Sequence, residues 1–370
     1  WNRRLNQKHS LGVLCKDNSA RVTGLSIEAM GMTGTLPPEL ALLSNLEYLL
    51  LDSNSLSGTI PSSFRMMKSL ISFSIAHNNY ATVLPKWLGM VHQLKVLRLS
   101  NNNFKGALPS ELENLTSLEI LALDHNNLSG NFSIVKNMNW IEALHLGSNQ
   151  FTDVLDDNDF LNMESLQMID LSSNKLQGVF PATGLLKHKS LRVLDLSSNR
   201  LTGSILLPET ISAGFSLKVL MLQENKLTGT IPHTLSTLKK LQQLDLSWNR
   251  LDGMIPTSLG ALSQMISMTL AKNQFTAGGI PSFLGSMPLL RKLSLQATNR
   301  NGKIPTWIGK LTDLTLLDFS KNALTGNIPA HIFTLQKLKY LIVSHNNLTG
   351  DFPTDTPGNL NLCESSMSLT

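Results

Sequence analysis

Long apolar runs are missing from this sequence. Nothing in its 370 residues approaches about eighteen uninterrupted apolar positions, so no stretch reads as a membrane span. Cysteine occurs only at Cys15 and Cys363, which weighs against an oxidising compartment, where caps of small modules are usually stapled by disulfides. Charge is sparse, 15% of residues with a net +5, and it is spread along the chain. Such a charge bears on encounter and not on specificity. No basic stripe interleaved with aromatics is present, which excludes dedicated nucleic-acid binding. No nucleophile elbow, phosphate loop or kinase signature occurs, and the sequence reads as a non-enzyme without a cofactor. It begins at Trp1 with no charged start and apolar stretch behind it, as expected of a processed or partial product.

What is present is a repeat. Aligned on "LxxLxLxxNxLxGxIP", an asparagine recurs at Asn54, Asn78, Asn102, Asn126, Asn149, Asn174, Asn199, Asn225, Asn249, Asn273, Asn322 and Asn346. Neighbouring spacings run from 23 to 26 residues, with one double gap between Asn273 and Asn322. Thr298 fills that gap and Met30 takes the place in a degenerate first copy, which makes fourteen units. A period of about 20–29 residues with this signature is the leucine-rich repeat, with one short strand per unit. The predicted fold is an α/β leucine-rich-repeat solenoid of about fourteen repeats, with a concave parallel sheet and short 3-10 or irregular convex segments.

Each repeat position has a physical reason. In "LEYLLLDSN", alternation along a short strand turns Leu46, Leu49 and Leu51 inward and leaves Glu47, Tyr48, Leu50, Asp52 and Ser53 toward solvent. The asparagine that follows is expected to bury its amide against main-chain groups of its own turn and of the next coil. Losing such a partner costs about 1–3 kcal/mol, enough to explain the ladder without any binding role. One unit cannot bury its apolar face alone, so the stack forms a continuous core.

The second half of the unit narrows the family. "GxIP" or a near variant surrounds Pro37, Pro61, Pro109, Pro232, Pro256, Pro281, Pro305 and Pro329, as in "LSGTIPSSF" and "LTGTIPHTL". Over roughly residues 11–353 the chain resembles the plant-specific leucine-rich repeats of receptor-like kinase ectodomains, receptor-like proteins and polygalacturonase-inhibiting proteins. The resemblance implies a right-handed superhelix and a second short strand after each asparagine turn. "LGVLCKDNSARVTGLSIEAMGMTGTLPPEL" is similar to the family's amino-terminal cap, usually patterned "CxWxGVxC", although Lys8 and Ser10 stand where cysteine and tryptophan are expected. "GNLNLCESS" is similar to a family tail. The expected organisation is an incomplete cap over 1–21, repeats over 22–353 and a tail over 354–370. With strands about 4.8 Å apart, fourteen units separate Cys15 from Cys363 by about 65 Å, far beyond the ~7 Å limit of a disulfide. Asn114, Asn127, Asn131 and Asn347 begin N-x-[ST] triplets and are glycosylation candidates, though the repeat consensus itself generates "NLS" and "NLT". The resemblance favours an extracellular or cell-surface setting; an intracellular assembly is the alternative.

The remaining candidate residues have ordinary structural readings. The acidic run "DVLDDNDF", with Asp153, Asp156, Asp157 and Asp159, lacks calcium-loop spacing and reads as a solvated, irregular convex loop. His77, His125 and His145 lie at different depths along the concave face, near Asp124 and Glu142, and do not converge as zinc ligands require. Asp170, Asp195 and Asp245 repeat with the units, as catalytic groups do not. No large insertion parts the repeats. The favoured function is a recognition module, receptor-like, that binds a protein or peptide, with an acidic glycan as a second class and no membrane contact except through segments outside this chain. The alternatives are a scaffolding subunit of a larger assembly and an inhibitor of a secreted enzyme. A contact patch is expected at Met221, Gln223, Trp248, Lys272 and Arg291, because exposed Trp, Met and Arg are enriched in interfaces. "LSLQATNRNGKIP" breaks the pattern and admits two registers, with Thr298 or Asn299 in the ladder place. In either, Arg300 is expected to reach solvent, because an unpaired guanidinium is costly to bury. Restoring the consensus with Thr298→Asn and Arg300→Leu is expected on this reading to stabilise by roughly 1–3 kcal/mol.

Overall fold

The computed structural model describes residues 12–15, 21–208, 215–350 and 361–362. The chain divides into two compact units, residues 1–153 with 159–176 and residues 154–158 with 177–370. Both are leucine-rich-repeat stacks built from the same elements. In the first, Gly12–Cys15 pairs antiparallel with Val22–Ser26. Parallel strands follow at Tyr48–Leu50, Ser72–Ser74, Val96–Arg98, Ile120–Ala122, Ala143–His145 and Met168–Asp170. In the second, parallel strands lie at Val193–Asp195, Val219–Met221, Gln243–Asp245, Ser267–Thr269, Lys292–Ser294, Leu316–Asp318, Tyr340–Ile342 and Asn361–Leu362. Between residues 22 and 342 there is one such strand for each of the fourteen predicted repeats.

The alternation is as the pattern requires. Leu46, Leu49 and Leu51 are at most 2% exposed, while Tyr48, Leu50 and Asp52 are half-buried and Ser53 is exposed. The expected second strands form lateral sheets, for example Lys105–Gly106, Asn127–Gly130 and Gln150–Phe151 in the first unit. Behind them the chain turns into 3-10 helices, all but one opened by a repeat proline; Ser133–Asn137 follows Phe132. The pyrrolidine ring holds φ between −59° and −75° at Pro37, Pro61, Pro109, Pro232, Pro256, Pro281, Pro305 and Pro329, close to the extended start such a turn needs. Pro85, in "TVLP", does the same. No helix among the described residues is long and apolar enough to cross a membrane. Cys15 is exposed at the end of the first strand; Cys363, its pairing and the tail boundary lie outside the described residues.

The ladder asparagines are buried or half-buried and their amides are bonded, with one correction. Asn249 Nδ2 donates to the carbonyls of Leu246, Ser247 and Leu222 at 3.1, 3.2 and 2.9 Å, and its Oδ1 accepts from the Leu227 amide at 3.0 Å. Leu222 and Leu227 belong to the preceding coil, not the next. The reason lies in the strand bonds: Leu222 N–H already donates forward to Asp245 O, so each coil holds the next by its main chain. The side-chain amide completes the contact backward.

The break in the repeat resolves to one register, and the expectation that Arg300 reaches solvent is wrong. Thr298 takes the ladder place, fully buried, and its hydroxyl donates to Leu295 O at 2.6 Å. Arg300 occupies the leucine place and is 4% exposed. Its main-chain N–H donates to Asn322 Oδ1 at 2.9 Å, as Leu251 donates to Asn273. Its guanidinium is not unpaired: Nε donates to Thr298 O at 2.9 Å, Nη1 to Gly279 O at 3.3 Å and Nη2 to Thr276 O. Two of these carbonyls come from "TAGGIP", where eight residues separate Asn273 from Pro281 against seven between Asn249 and Pro256. The extra residue makes the recess; a Cβ on Gly278 would stand 3.4 Å from Nη1.

The acidic run also differs from expectation. Asp153 is 7% exposed, not solvated, and accepts from Phe132 N at 2.7 Å. Lys136 Nζ lies 3.5 Å from Asp153 and 2.9 Å from Asp159, and 5.2 Å from the Phe132 ring centroid. Asp157 accepts from the amide and hydroxyl of Thr183, and Asp156 from Asn158 N. The Asp153 end is drawn in, because a carboxylate in an apolar setting needs a partner, while Asp156 and Asp157 are exposed as expected of a convex loop.

Candidate binding surface on the strand face

The solvent-facing residues of the main strands fall into columns, set by the register. Met221 lies beside Asp245, which lies beside Thr269 and then Ser294. Three residues past each strand the chain turns through left-handed φ just before the ladder residue, at 57° for Glu224, 55° for Trp248 and 53° for Lys272. Non-glycine residues seldom adopt this conformation, and here the ladder bonds hold it in every coil. The side chain at that place is pushed out to solvent, so it is free to vary.

At Trp248 and Lys272 this geometry makes a pair. The indole is 53% exposed, and the Lys272 ammonium lies 3.1 Å from its ring centroid. A cation over an indole contributes about 0.5–1 kcal/mol at an exposed site. One strand away, Met221 and Gln223 are half-buried. Gln223 Oε1 is buried without a hydrogen-bond partner. Asp245, next to Met221, carries a carboxyl pushed up by burial, against the lowering effect of bonds from the Ser247 hydroxyl and amide at 2.6 and 2.9 Å. Arg291 is exposed just before Lys292–Ser294, at the opposite margin of the strand face. The structure therefore joins Trp248 to Lys272, sets Met221 and Gln223 alongside, and leaves Arg291 at the rim.

In the first unit His77 and His125 occupy the left-handed turn places and are exposed. His145 is half-buried on its strand; burial holds its imidazole below the usual range, opposed by Asp124 and Asp170. Among the described residues no group of three or more His, Cys, Asp or Glu is placed to hold a metal ion. Asn114, Asn127, Asn131 and Asn347 are all exposed. Asn114 ends a 3-10 helix, Asn127 and Asn347 open lateral strands, and Asn131 Oδ1 accepts from the Ser133 hydroxyl. The sequence reading gave no weight to Lys105, Gln150 or Lys175, which line a lateral groove.

Comparison with known proteins agrees with this architecture. A family model described as leucine rich repeat matches residues 44–104, 141–201, 189–251 and 215–275, and a second one 337–359. These segments cover more than half of the chain, which belongs to the leucine-rich-repeat family. Among solved structures, the plant peptide hormone receptor RGFR1 in complex with RGF2 is 29% identical with a TM-score of 0.76 over 88% of this chain and 56% of that one. The Arabidopsis receptor kinase HAESA, in complex with the peptide hormone IDA and the co-receptor SERK1, is 26% identical with a TM-score of 0.69 over 90% and 63%. The chain thus spans 56% and 63% of the lengths of these receptor chains. A plant ice-binding protein is 26% identical with a TM-score of 0.61 over 72% of this chain and 87% of that one. No curated protein matches.

Proposed function

We propose that the chain is an extracellular, non-enzymatic recognition module whose second unit takes up a peptide or protein segment across Met221, Gln223, Trp248, Lys272 and Arg291. The fold does not decide this, since the same architecture serves peptide-hormone receptors and an ice-binding protein, and function resides in the site. The observation that carries the reading is Trp248: a large ring, half-exposed, lying under Lys272, and the one aromatic carbocycle in a column that otherwise holds Ser, Ala, His, Asn, Glu and Lys. The clamped ring is pre-ordered and loses little conformational freedom on contact. Arg291 adds a planar donor at the rim for a carboxylate or carbonyl.

The test uses a displayed peptide library selected on the folded chain. Selected peptides should lose at least roughly tenfold in affinity with Trp248→Ser, as truncation of an aromatic anchor does. The melting temperature should stay nearly unchanged, and His77→Ser, on the other unit, should leave binding intact. Peptides that bind Trp248→Ser as tightly as the parent protein would move the site elsewhere.

A further inference from the structure

The lateral sheet of the first unit carries an open groove of about 600 Å³. Its walls follow from the register. Lys105 is the cross-strand partner of Asn127, and Ser129 that of Gln150. Two residues on, Thr152 donates its amide to Gly130 O, and Lys175 donates its amide to Phe151 O. Read diagonally, the groove presents cation, amide, hydroxyl, amide, hydroxyl, cation. No carboxylate lines it, and Val83 is its only apolar side chain. The floor is backbone: Gly106 and Gly130 both adopt φ of +80°, and a Cβ on Gly106 would stand 3.3 Å from Val83 Cγ1. With strands about 4.8 Å apart and a rise of about 3.3 Å per residue, the two lysines sit on the order of 20 Å from one another.

We propose that this groove binds an anionic oligosaccharide, independently of the peptide site on the second unit. Side-chain amides each offer a donor and an acceptor side by side, which suits adjacent sugar hydroxyls; Ser129 adds a hydroxyl donor, and Thr152, whose hydroxyl donates to Gly130 O, adds an acceptor. The terminal lysines supply point charges for acidic groups spaced along a chain, so an oligomer is fitted and a single sugar is not. A peptide is a poorer match, because the groove has no apolar recess for a side chain and its backbone groups are already paired in the lateral sheet.

The experiment titrates unglycosylated protein, so that Asn127 is bare, with a short oligogalacturonate, its fully methyl-esterified form, a sulfated dextran oligomer and oligoglutamate, at low and physiological salt. Lys105→Gln with Lys175→Gln should weaken oligogalacturonate binding by roughly tenfold or more, as loss of two ionic contacts implies. The methyl ester should not bind. Lys226→Gln with Arg250→Gln, which removes equal charge from the second unit, should change nothing. Gln150→Ala should weaken both anionic sugars and leave any residual oligoglutamate binding untouched; the tighter of galacturonate and sulfated dextran identifies the acid group. The proposal is overturned if oligogalacturonate does not bind, if the second-unit control weakens it as much as the groove variant does, or if oligoglutamate competes on equal terms.

Discussion

Arg300 offers a sharp test of how the second unit is held together. Arg300→Met keeps length and apolar volume but leaves the carbonyls of Thr276, Gly279 and Thr298 without their donors. Hydrogen bonds to a charged group contribute about 1.5–3 kcal/mol each, and an orphaned buried acceptor costs about 1–3 kcal/mol. Against this stands relief from burying the charge, whose effective cost is several kcal/mol; the same burial lowers the guanidinium pKa from its ordinary value. The loss left over is about 2–4 kcal/mol. Arg300→Lys should lose nearly as much, since an ammonium lacks the fork that reaches three carbonyls. By the same reasoning Thr298→Asn with Arg300→Leu now destabilises, where the consensus alone implied a gain. The missing component is the loop: deleting Gly279 in that double variant restores seven residues between ladder asparagine and proline and should recover most of the loss. Denaturant midpoints followed by circular dichroism read the stability, and hydrogen exchange at Gly278 and Asn301, whose amides bond across this junction, reads its location. If Arg300→Met is as stable as the parent, the guanidinium is not a staple and the recess has another cause.

Other perturbations test separate parts of the account. Asn249→Ala removes four hydrogen bonds, two of them between coils, and should cost about 2–4 kcal/mol in the same denaturant assay, with exchange rising first at the Leu227 amide; no loss would demote the ladder to a sequence habit. Lys136→Met strands the buried Asp153 carboxylate and should cost about 2–4 kcal/mol, largely restored by adding Asp153→Asn; an unrestored double variant would point to packing on Phe132. The folded-state pKa of His145 lies below its ordinary 6.5, so the unfolded chain takes up the proton first, and stability present above 6.5 is lost as pH falls through it. Melting temperatures measured from neutral to mildly acidic pH should fall less steeply for His145→Gln than for the parent protein, and parallel slopes would refute that assignment.

The repeat made most of the fold legible, because its inward leucines, ladder asparagines and turn prolines each do the same physical task in every coil. Leu49, Asn249 and Pro256 were readable one coil at a time. The direction of the asparagine bonds was not, since one coil's letters do not say which neighbour's carbonyls remain free once the strands have paired. Arg300 was misread for a related reason: taken within its own repeat it is an unpaired charge, and two of its three partners lie about one period earlier, in the lengthened "TAGGIP" turn. The signal was present as a single extra glycine, but it has meaning only when two coils are superposed. Asp153 was misread as solvated because Lys136 and Phe132 sit one coil upstream. In a stacked fold the informative unit for any departure from consensus is therefore the pair of adjacent coils.

The same logic separates what the chain must keep from what it is free to use. Positions that bond to the next coil are constrained by their neighbours on both sides. The left-handed place before each ladder residue is constrained only in its backbone, and across the coils it holds alanine, serine, histidine, asparagine, glutamate, tryptophan and lysine. The place after the ladder residue is likewise open, and there Asn79, Asn103, Asn127 and Gln150 run as amides through successive coils to Lys175. Recognition can change at these two columns without disturbing the stack. They are also where Trp248 with Lys272 in the second unit, and the amide-and-lysine groove in the first, depart from ordinary repeat filler.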